Sequence, residues 1–454
     1  MRLHAKSALA VAISALVTPA LAATDAQRID MLEKQLQQHK AVMEQQQQML
    51  EAMDAKLKRL KGEDTAQIAT ESAQTPVTNT AGKAPPAAEK AHSFQLYANI
   101  QLDAIYDFKR VDPTWESTLR PSTIPVESGA FGDDGNTVFS VKQTQLGFKG
   151  LHTTPLGSVK SWFEFDFFGT GSDAGDTKFN LRHAWVEVGS LGFGQTNSTF
   201  MDISIFPNVI DWWGPSGMAF NRNPQLRYTW FGEETQLAVA LEKPNGSFNT
   251  GIFGTLSPEF NSRATDRTPL PDLTAHWRSE GDWGHYQIAG VLRQLEYETR
   301  GTANNKPNGE DTGWGVNLTS VINTSPRNRL KLGLVYGEGI ASFMNDGGVN
   351  LAPENFEGEA VPVLGVTAYY DHYWSDQWSS SIGYSLNKAD PRNQQADFEF
   401  EAGSYSSVNL LYTPYPDLLI GSEFLWGNHE NVAGEDADDY RIQFSLKHKF
   451  GARF

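Results

Sequence analysis

Tyr440-Arg441-Ile442-Gln443-Phe444-Ser445-Leu446-Lys447-His448-Lys449-Phe450-Gly451-Ala452-Arg453-Phe454 alternates without a break. Tyr440, Ile442, Phe444, Leu446, His448, Phe450, Ala452 and Phe454 fall on one face, and Arg441, Gln443, Ser445, Lys447, Lys449, Gly451 and Arg453 fall on the other. Successive side chains of a strand point to opposite sides, so the segment offers an apolar, aromatic-edged face to lipid and a basic face to water. A soluble edge strand also alternates, but it is usually shorter than this. The same pattern returns at Phe94 to Phe108. There Phe94, Leu96, Ala98, Ile100, Leu102, Ala104, Tyr106 and Phe108 face one way, and Gln95, Tyr97, Asn99, Gln101, Asp103 and Asp107 the other.

The amino-terminal end carries a different signal. Arg2 and Lys6 precede an apolar run from Ala8 to Leu21 that ends in Ala20-Leu21-Ala22, the pattern of a cleaved export signal over residues 1–22. The run is too short for a membrane helix, and nothing after it reaches the ~18 consecutive apolar residues that an inner-membrane span needs. There is no cysteine, which removes disulfides, thiolate metal sites and cysteine nucleophiles. Hydrophobic residues make up only 39% of the chain, a value a soluble protein would also show. Barrels match it because each lipid-facing residue is diluted by one facing the lumen.

Residues 23–61 carry a heptad: Ile29, Leu36, Met43, Leu50 and Leu57 at one position, and Leu32, His39, Gln46, Met53 and Leu60 at the other. This predicts an α-helical coiled coil about 48 Å long at a rise of 1.5 Å per residue. His39 and Gln46 read as residues that fix register and strand number, not as a metal or catalytic site. Residues 62–92 lose the period and include Pro85-Pro86, as expected of a flexible linker. Because this segment precedes the first membrane strand, it is expected in the periplasm, where it would help hold subunits together.

From residue 93 to 454 the expectation is an all-β, transmembrane antiparallel barrel of about 16 strands. Seven short turns are read at His152–Gly157, Ser190–Gly192, Gly232–Thr235, Glu280–Trp283, Asn323–Asn328, Ser375–Gln377 and Thr413–Pro416, with longer loops between them. Aromatic residues near strand ends (Trp212-Trp213, Tyr228, Trp230, Trp277, Trp283, Tyr369-Tyr370, Tyr373-Trp374 and Trp378) suggest interfacial girdles. A sugar-stacking path is the alternative use of such rings. The connection 199–223 carries Phe200, Ile203, Ile205, Phe206, Trp212, Trp213 and Phe220, which need somewhere to be buried. Folding inward would bury them and narrow the pore, with Asp202, Asp211 and Arg222 as rim charges; an extracellular cap would bury them as well.

The net charge of −17 argues against nucleic-acid binding, which requires Lys and Arg to neutralise phosphates. Residues beyond 92 hold 26 basic and 44 acidic side chains. The excess gathers at Asp133-Asp134, Asp173, Asp176, Glu354–Glu359, Asp397–Glu401 and Glu430–Asp439, segments read as solvated loops; cation bridging to lipopolysaccharide is the sharper alternative. Alternation places Arg182, Arg227, Arg278, Arg293 and Arg441 in the lumen, with Lys447 and Arg453 beside them. A ring of cations concentrates anions, and a guanidinium fork fits a carboxylate. The plainer reading pairs these cations with lumen acids such as Asp103, Asp272 and Glu423.

Three stretches extend this reading. Phe179-Asn180-Leu181-Arg182-His183-Ala184-Trp185-Val186-Glu187, Gly194 to Asp202, and Asn223-Pro224-Gln225-Leu226-Arg227-Tyr228 resemble the DcaP-like porins of Gram-negative outer membranes. The terminal Phe454 is similar to the closing-strand signal of outer-membrane barrels. The resemblance implies a sixteen-stranded homotrimeric porin in outer-membrane lipid and lipopolysaccharide, with a periplasmic helical extension. It also implies passive uptake of small anionic solutes such as dicarboxylates, with no cofactor and with Arg182 and Arg227 lining the pore. Gln145 stands where many porins have a lumen arginine, which bears on specificity. A general or carbohydrate-preferring porin, an outer-membrane hydrolase and a plugged structural tether are the rivals. No Gly-x-Ser-x-Gly or His-Glu-x-x-His supports the hydrolase. The run Gly169–Gly175 lacks the Lys-Ser/Thr of a phosphate loop.

Overall fold

The computed structural model describes residues 92–454 except 156 and 170–174. The expected export signal, coiled coil and linker lie outside the described residues, as does most of the Gly169–Gly175 run. Sixteen antiparallel wall strands close into a barrel. In chain order they are β1 (His92–Asp107), β2 (in two pieces, Asn136–Ser140 and Gln145–Thr154), β3 (Gly157–Phe168), β4 (Thr177–Val188), β5 (Leu191–Asn197) and β6 (Arg222–Phe231). β7 (Thr235–Glu242), β8 (in two pieces, Ala264–Arg267 and Asp272–Gly281), β9 (Gly284–Thr299), β10 (Gly309–Asn323) and β11 (Arg329–Glu338) follow. β12 (Pro362–Tyr373), β13 (Trp378–Ala389), β14 (Phe400–Tyr415), β15 (Leu418–Asn431) and β16 (Asp436–Arg453) complete the wall.

Closure is made by the two alternating stretches at 94–108 and 440–454. β1 pairs with β16 from Gln95↔Arg453 to Asp107↔Arg441. Phe94 and Phe454 exchange backbone hydrogen bonds of 3.1 and 2.7 Å at the end where the turns lie. A closed wall leaves no unpaired edge, which is what a strand structure needs in hydrocarbon. Among the described residues no helix is long and apolar enough to cross a membrane. All seven expected short turns occur, on the same side as both ends of the wall, and the longer loops lie on the other.

The alternation decides facing. Ile100 is 54% exposed and Phe444 57%, whereas Gln101, Asp103 and Gln443 are within 1% of fully buried. Tyr228, Trp230, Trp277, Trp283, Trp374 and Trp378 stand on the outer surface toward the turns, as a girdle requires. Tyr369, Trp212 and Trp213 do not join it. Tyr369 faces inward at 1% exposure, and the two tryptophans sit on the loop between β5 and β6. The acidic stretch Glu430–Asp439 is also not one loop: Glu430 lies inside the end of β15, and Asp436, Asp438 and Asp439 begin β16, with Asp439 buried against Arg441.

The apolar core lies between the inner wall and the loops that enter it. The 198–221 loop runs round the inside of the barrel. Its Asp202 meets Arg278 on β8, His285 on β9 and Thr319 on β10. Lys331 on β11 donates to Phe206 O, and Asp371 on β12 accepts from Asn208 N. Glu423 on β15 accepts from the amides of Ile210 and Asp211, and Gln443 on β16 donates to Ile210 O. Phe200, Met201 and Ala219 pack against Val291, Val335, Phe343 and Met344. The first loop enters too, burying Val111, Leu119 and Ile124 against Tyr369, Tyr405 and Leu425. Each large apolar side chain buried this way contributes about 1.5–3 kcal/mol, so the loops are held and do not hang in solvent.

Candidate functional site

A cavity of about 530 Å³ lies in the lumen at the turn end, bounded by the inner faces of β16 and of β1 to β9 and roofed by Met201–Ser204 of the entering loop. Its cationic walls are Lys149, Lys160, Arg227, Arg278 and Arg453; its carboxylates are Glu187, Asp202 and Glu280.

Local sequence explains how these side chains arrive. In β2, Lys149 sits between Phe148 and Gly150 and points opposite to the outward phenylalanine; in β3, Lys160 does the same beside Val159. β4 carries a bulge: Glu164 pairs with His183 and Phe165 with Leu181, so Arg182 is the extra residue. The bulge turns Arg182 as well as His183 into the barrel. Arg182 donates from Nε to Glu164 at 2.7 Å and from a terminal nitrogen to Asp166 at 2.8 Å.

Several lumen acids are satisfied by neutral donors or spent on holding the loops. Asp103 accepts from Gln101, Gln143, Gln443 and Ser445, all neutral. Glu423 accepts from two loop amides and Asn409. Glu242 accepts from Ser198, Thr199 and Thr274, and Asp346 holds the first loop through Arg120 and Ser122. Asp211 accepts from Thr118 Oγ1, Leu119 N, Gly214 N and Tyr405. Burial raises the Asp211 carboxyl, and the hydrogen bonds from Thr118, Gly214 and Leu119 work against that rise. Burial would also raise Asp202. There the hydrogen bond and charge of His285, followed by Arg278, outweigh it and hold the carboxyl well below the usual range.

By contrast, Lys149, Lys160, Arg222, Lys447, Lys449 and Arg453 make no ion pair with any described residue. Lys447, Lys449 and Arg453 share the inward face of β16 with Gln443 and Ser445, next to β1. The strip from β16 through β3 thus presents cations that are not ion-paired with any described carboxylate.

The six arginines singled out in the sequence fall into three settings. Arg227 and Arg278 line the cavity, Arg227 3.8 Å from Glu187 and Arg278 3.3 Å from both Asp202 and Glu280. Arg182 and Arg222 lie deeper; Arg182 is doubly paired, whereas Arg222 lies over Phe220 with its Nε unpartnered. Arg293 and Arg441 are fully buried ties. Arg293 pairs with Asp272 and donates to Gly339 O, Ser342 and Asn245 O. Arg441 pairs with Asp107 and Asp439 and donates to Glu116 O and Thr118 O of the first loop. Neither presents surface to a solute. Lys149, Lys160 and Lys449 were not among the expected residues, although the alternation that placed Arg441 inward also marks them.

Among the described residues there is no cluster of three or more metal-ligating side chains. A model of the DcaP outer membrane protein family matches residues 26–263. Among solved structures, the outer membrane channel DcaP of Acinetobacter baumannii is 22% identical with a TM-score of 0.68, covering 80% of this chain and 99% of that one. The anion-selective porin from Comamonas acidovorans is 9% identical with a TM-score of 0.52, over 79% and 100%. Identities this low carry the barrel and nothing finer. No curated protein sequence matches the chain.

Proposed function

The chain belongs to the DcaP outer membrane protein family, a family of outer-membrane channels, and from that premise we propose that it is a passive porin for small anionic solutes, dicarboxylates among them. One observation carries this reading: most lumen acids are occupied by loop amides, hydroxyls and buried guanidinium groups, while Lys149, Lys160 and Arg453 of the turn-side cavity have no carboxylate partner among the described residues. A solute carboxylate entering there meets uncancelled positive charge in a confined space, where field lines concentrate. Capture must stay weak enough for the solute to leave again, and diffusion down a gradient needs no cofactor.

The inward loop sets the size limit, and Arg222, deeper than the cavity and without an ion pair to any described residue, adds to the cationic surface. The heptad at 23–61 belongs to the same proposal as a periplasmic coiled coil joining a homotrimer; a monomeric mass for the full chain in mild detergent would remove that part. The main test is solute entry into proteoliposomes. A four-carbon dicarboxylate should enter several-fold faster than a diamine of equal size, about the factor that modest charge steering provides. Equal rates would make the protein a general porin, and faster entry of a neutral sugar would favour the carbohydrate reading.

A further inference from the structure

Three lumen cations rest on aromatic rings. Lys149 Nζ lies 4.6 Å from the ring centre of Trp162 and 5.8 Å from that of Tyr97. The Arg227 guanidinium carbon is 4.6 Å from the centre of Trp185, and that of Arg222 is 4.7 Å from Phe220. The two tryptophans are themselves fixed. Trp162 donates from Nε1 to Tyr97 OH at 2.7 Å and stacks on His183 with ring centres 3.5 Å apart. Trp185 donates to Glu187 at 3.0 Å and lies so close over Gly192 that a Cβ there would overlap its ring.

A ring face and a carboxylate both attract a cation, but with different consequences. A carboxylate cancels the charge; a ring's quadrupole fixes the position and leaves the net charge in place. In a lumen rich in acids, that difference decides whether a cation still acts on a passing solute.

We propose that Trp162 and Trp185 are positioning residues that hold Lys149 and Arg227 in the permeation path on their ring faces, Lys149 with no carboxylate partner among the described residues and Arg227 with only the loose 3.8 Å contact to Glu187. This rests on the anion-porin reading. The tests are Trp162→Leu and Trp185→Leu, with Trp162→Phe and Trp185→Phe as the conservative pair. Each is read as the anion-to-cation permeability ratio in planar bilayers, with assembly checked by heat-modifiable gel mobility. All four keep the protein's net charge. The leucine variants should lower the ratio about two- to threefold and the phenylalanine variants should recover most of it, because phenylalanine retains a ring face. A wild-type ratio in the leucine variants overturns the proposal, and so does an equal loss in the phenylalanine variants, which would mean that packing alone matters. A wild-type protein with no anion preference would instead sink the porin reading beneath it.

If a leucine variant does not assemble, fluorinated tryptophan in the otherwise unchanged chain supplies the second measurement. It keeps the shape and weakens the negative ring face. The ratio should fall in the wild-type background and stay constant when Lys149 and Arg227 are already glutamine. A fall of equal size in that background, or no fall in the wild type, would overturn the proposal.

Discussion

Replacing Asp211 and Glu423 together by alanine should raise single-channel conductance about twofold or more while the barrel still assembles, because the pair anchors the inward loop at the point where it passes closest to β15 and β16. Glu423 accepts from Ile210 N and Asp211 N at 3.1 Å each, and Asn409 at 2.7 Å. Asp211 in turn gathers Thr118 Oγ1 at 2.7 Å, Leu119 N at 3.1 Å, Gly214 N at 3.2 Å and Tyr405 OH at 3.1 Å. Without the carboxylates those donors are stranded, and each costs about 1–3 kcal/mol if it stays buried. The cheaper outcome is for the loop to leave the wall and let water in. The wall does not depend on it, since its ladder closes through β1 and β16. Unchanged conductance would show that this loop does not limit flow. Mild acid is not expected to mimic the variant. Asp211 has a raised folded value, so its protonation favours the folded form as pH falls and this contribution is lost as pH rises through that value. Asp202 has a depressed value. The stability it contributes is present above the ordinary carboxylate range and is lost only well below it, so the loop's first anchor also survives mild acid.

Changing Lys149, Lys160, Lys447 and Arg453 together to glutamine should lower the anion-to-cation permeability ratio roughly tenfold, the scale on which a focused field enriches counter-ions. These four are the useful targets because none is paired with a described carboxylate, so their removal takes away field without stranding a partner. Arg182 is a poorer choice. Its loss would leave Glu164 and Asp166 without their cation, and a fall in anion preference would then report two exposed acids as much as one missing arginine. Arg441 is poorer still, since breaking its buried pairs with Asp107 and Asp439 should cost about 3–5 kcal/mol and loosen the first loop. A quadruple variant that keeps the wild-type ratio would move the selectivity determinant elsewhere in the lumen.

The wall was legible from period two alone. Lipid imposes one rule on every outward position, so Ile100, Leu226, Ile288 and Phe444 could be placed without knowing their neighbours. Turn chemistry located the short connections for the same local reason. What local pattern does not contain is the filling of the lumen. Alternation correctly turned Arg293 and Arg441 inward, but facing is not exposure: Asn245, Ser342 and the first loop occupy the space in front of them. The β4 bulge is equally nonlocal, and it puts both Arg182 and His183 inside, which strict alternation forbids. The inward course of the 198–221 loop was signalled by its apolar residues. The matching behaviour of the first loop rests on only three buried aliphatic side chains, Val111, Leu119 and Ile124, too few to mark a 28-residue connection in advance.

The turn-side cavity holds cations without carboxylate partners although the chain has a net charge of −17. The reversal potential of the purified full-length protein in a tenfold potassium chloride gradient tests it most directly. The expected potential has the sign set by chloride and moves toward zero when a dicarboxylate competes for the cavity. A potential of the sign set by potassium would contradict it.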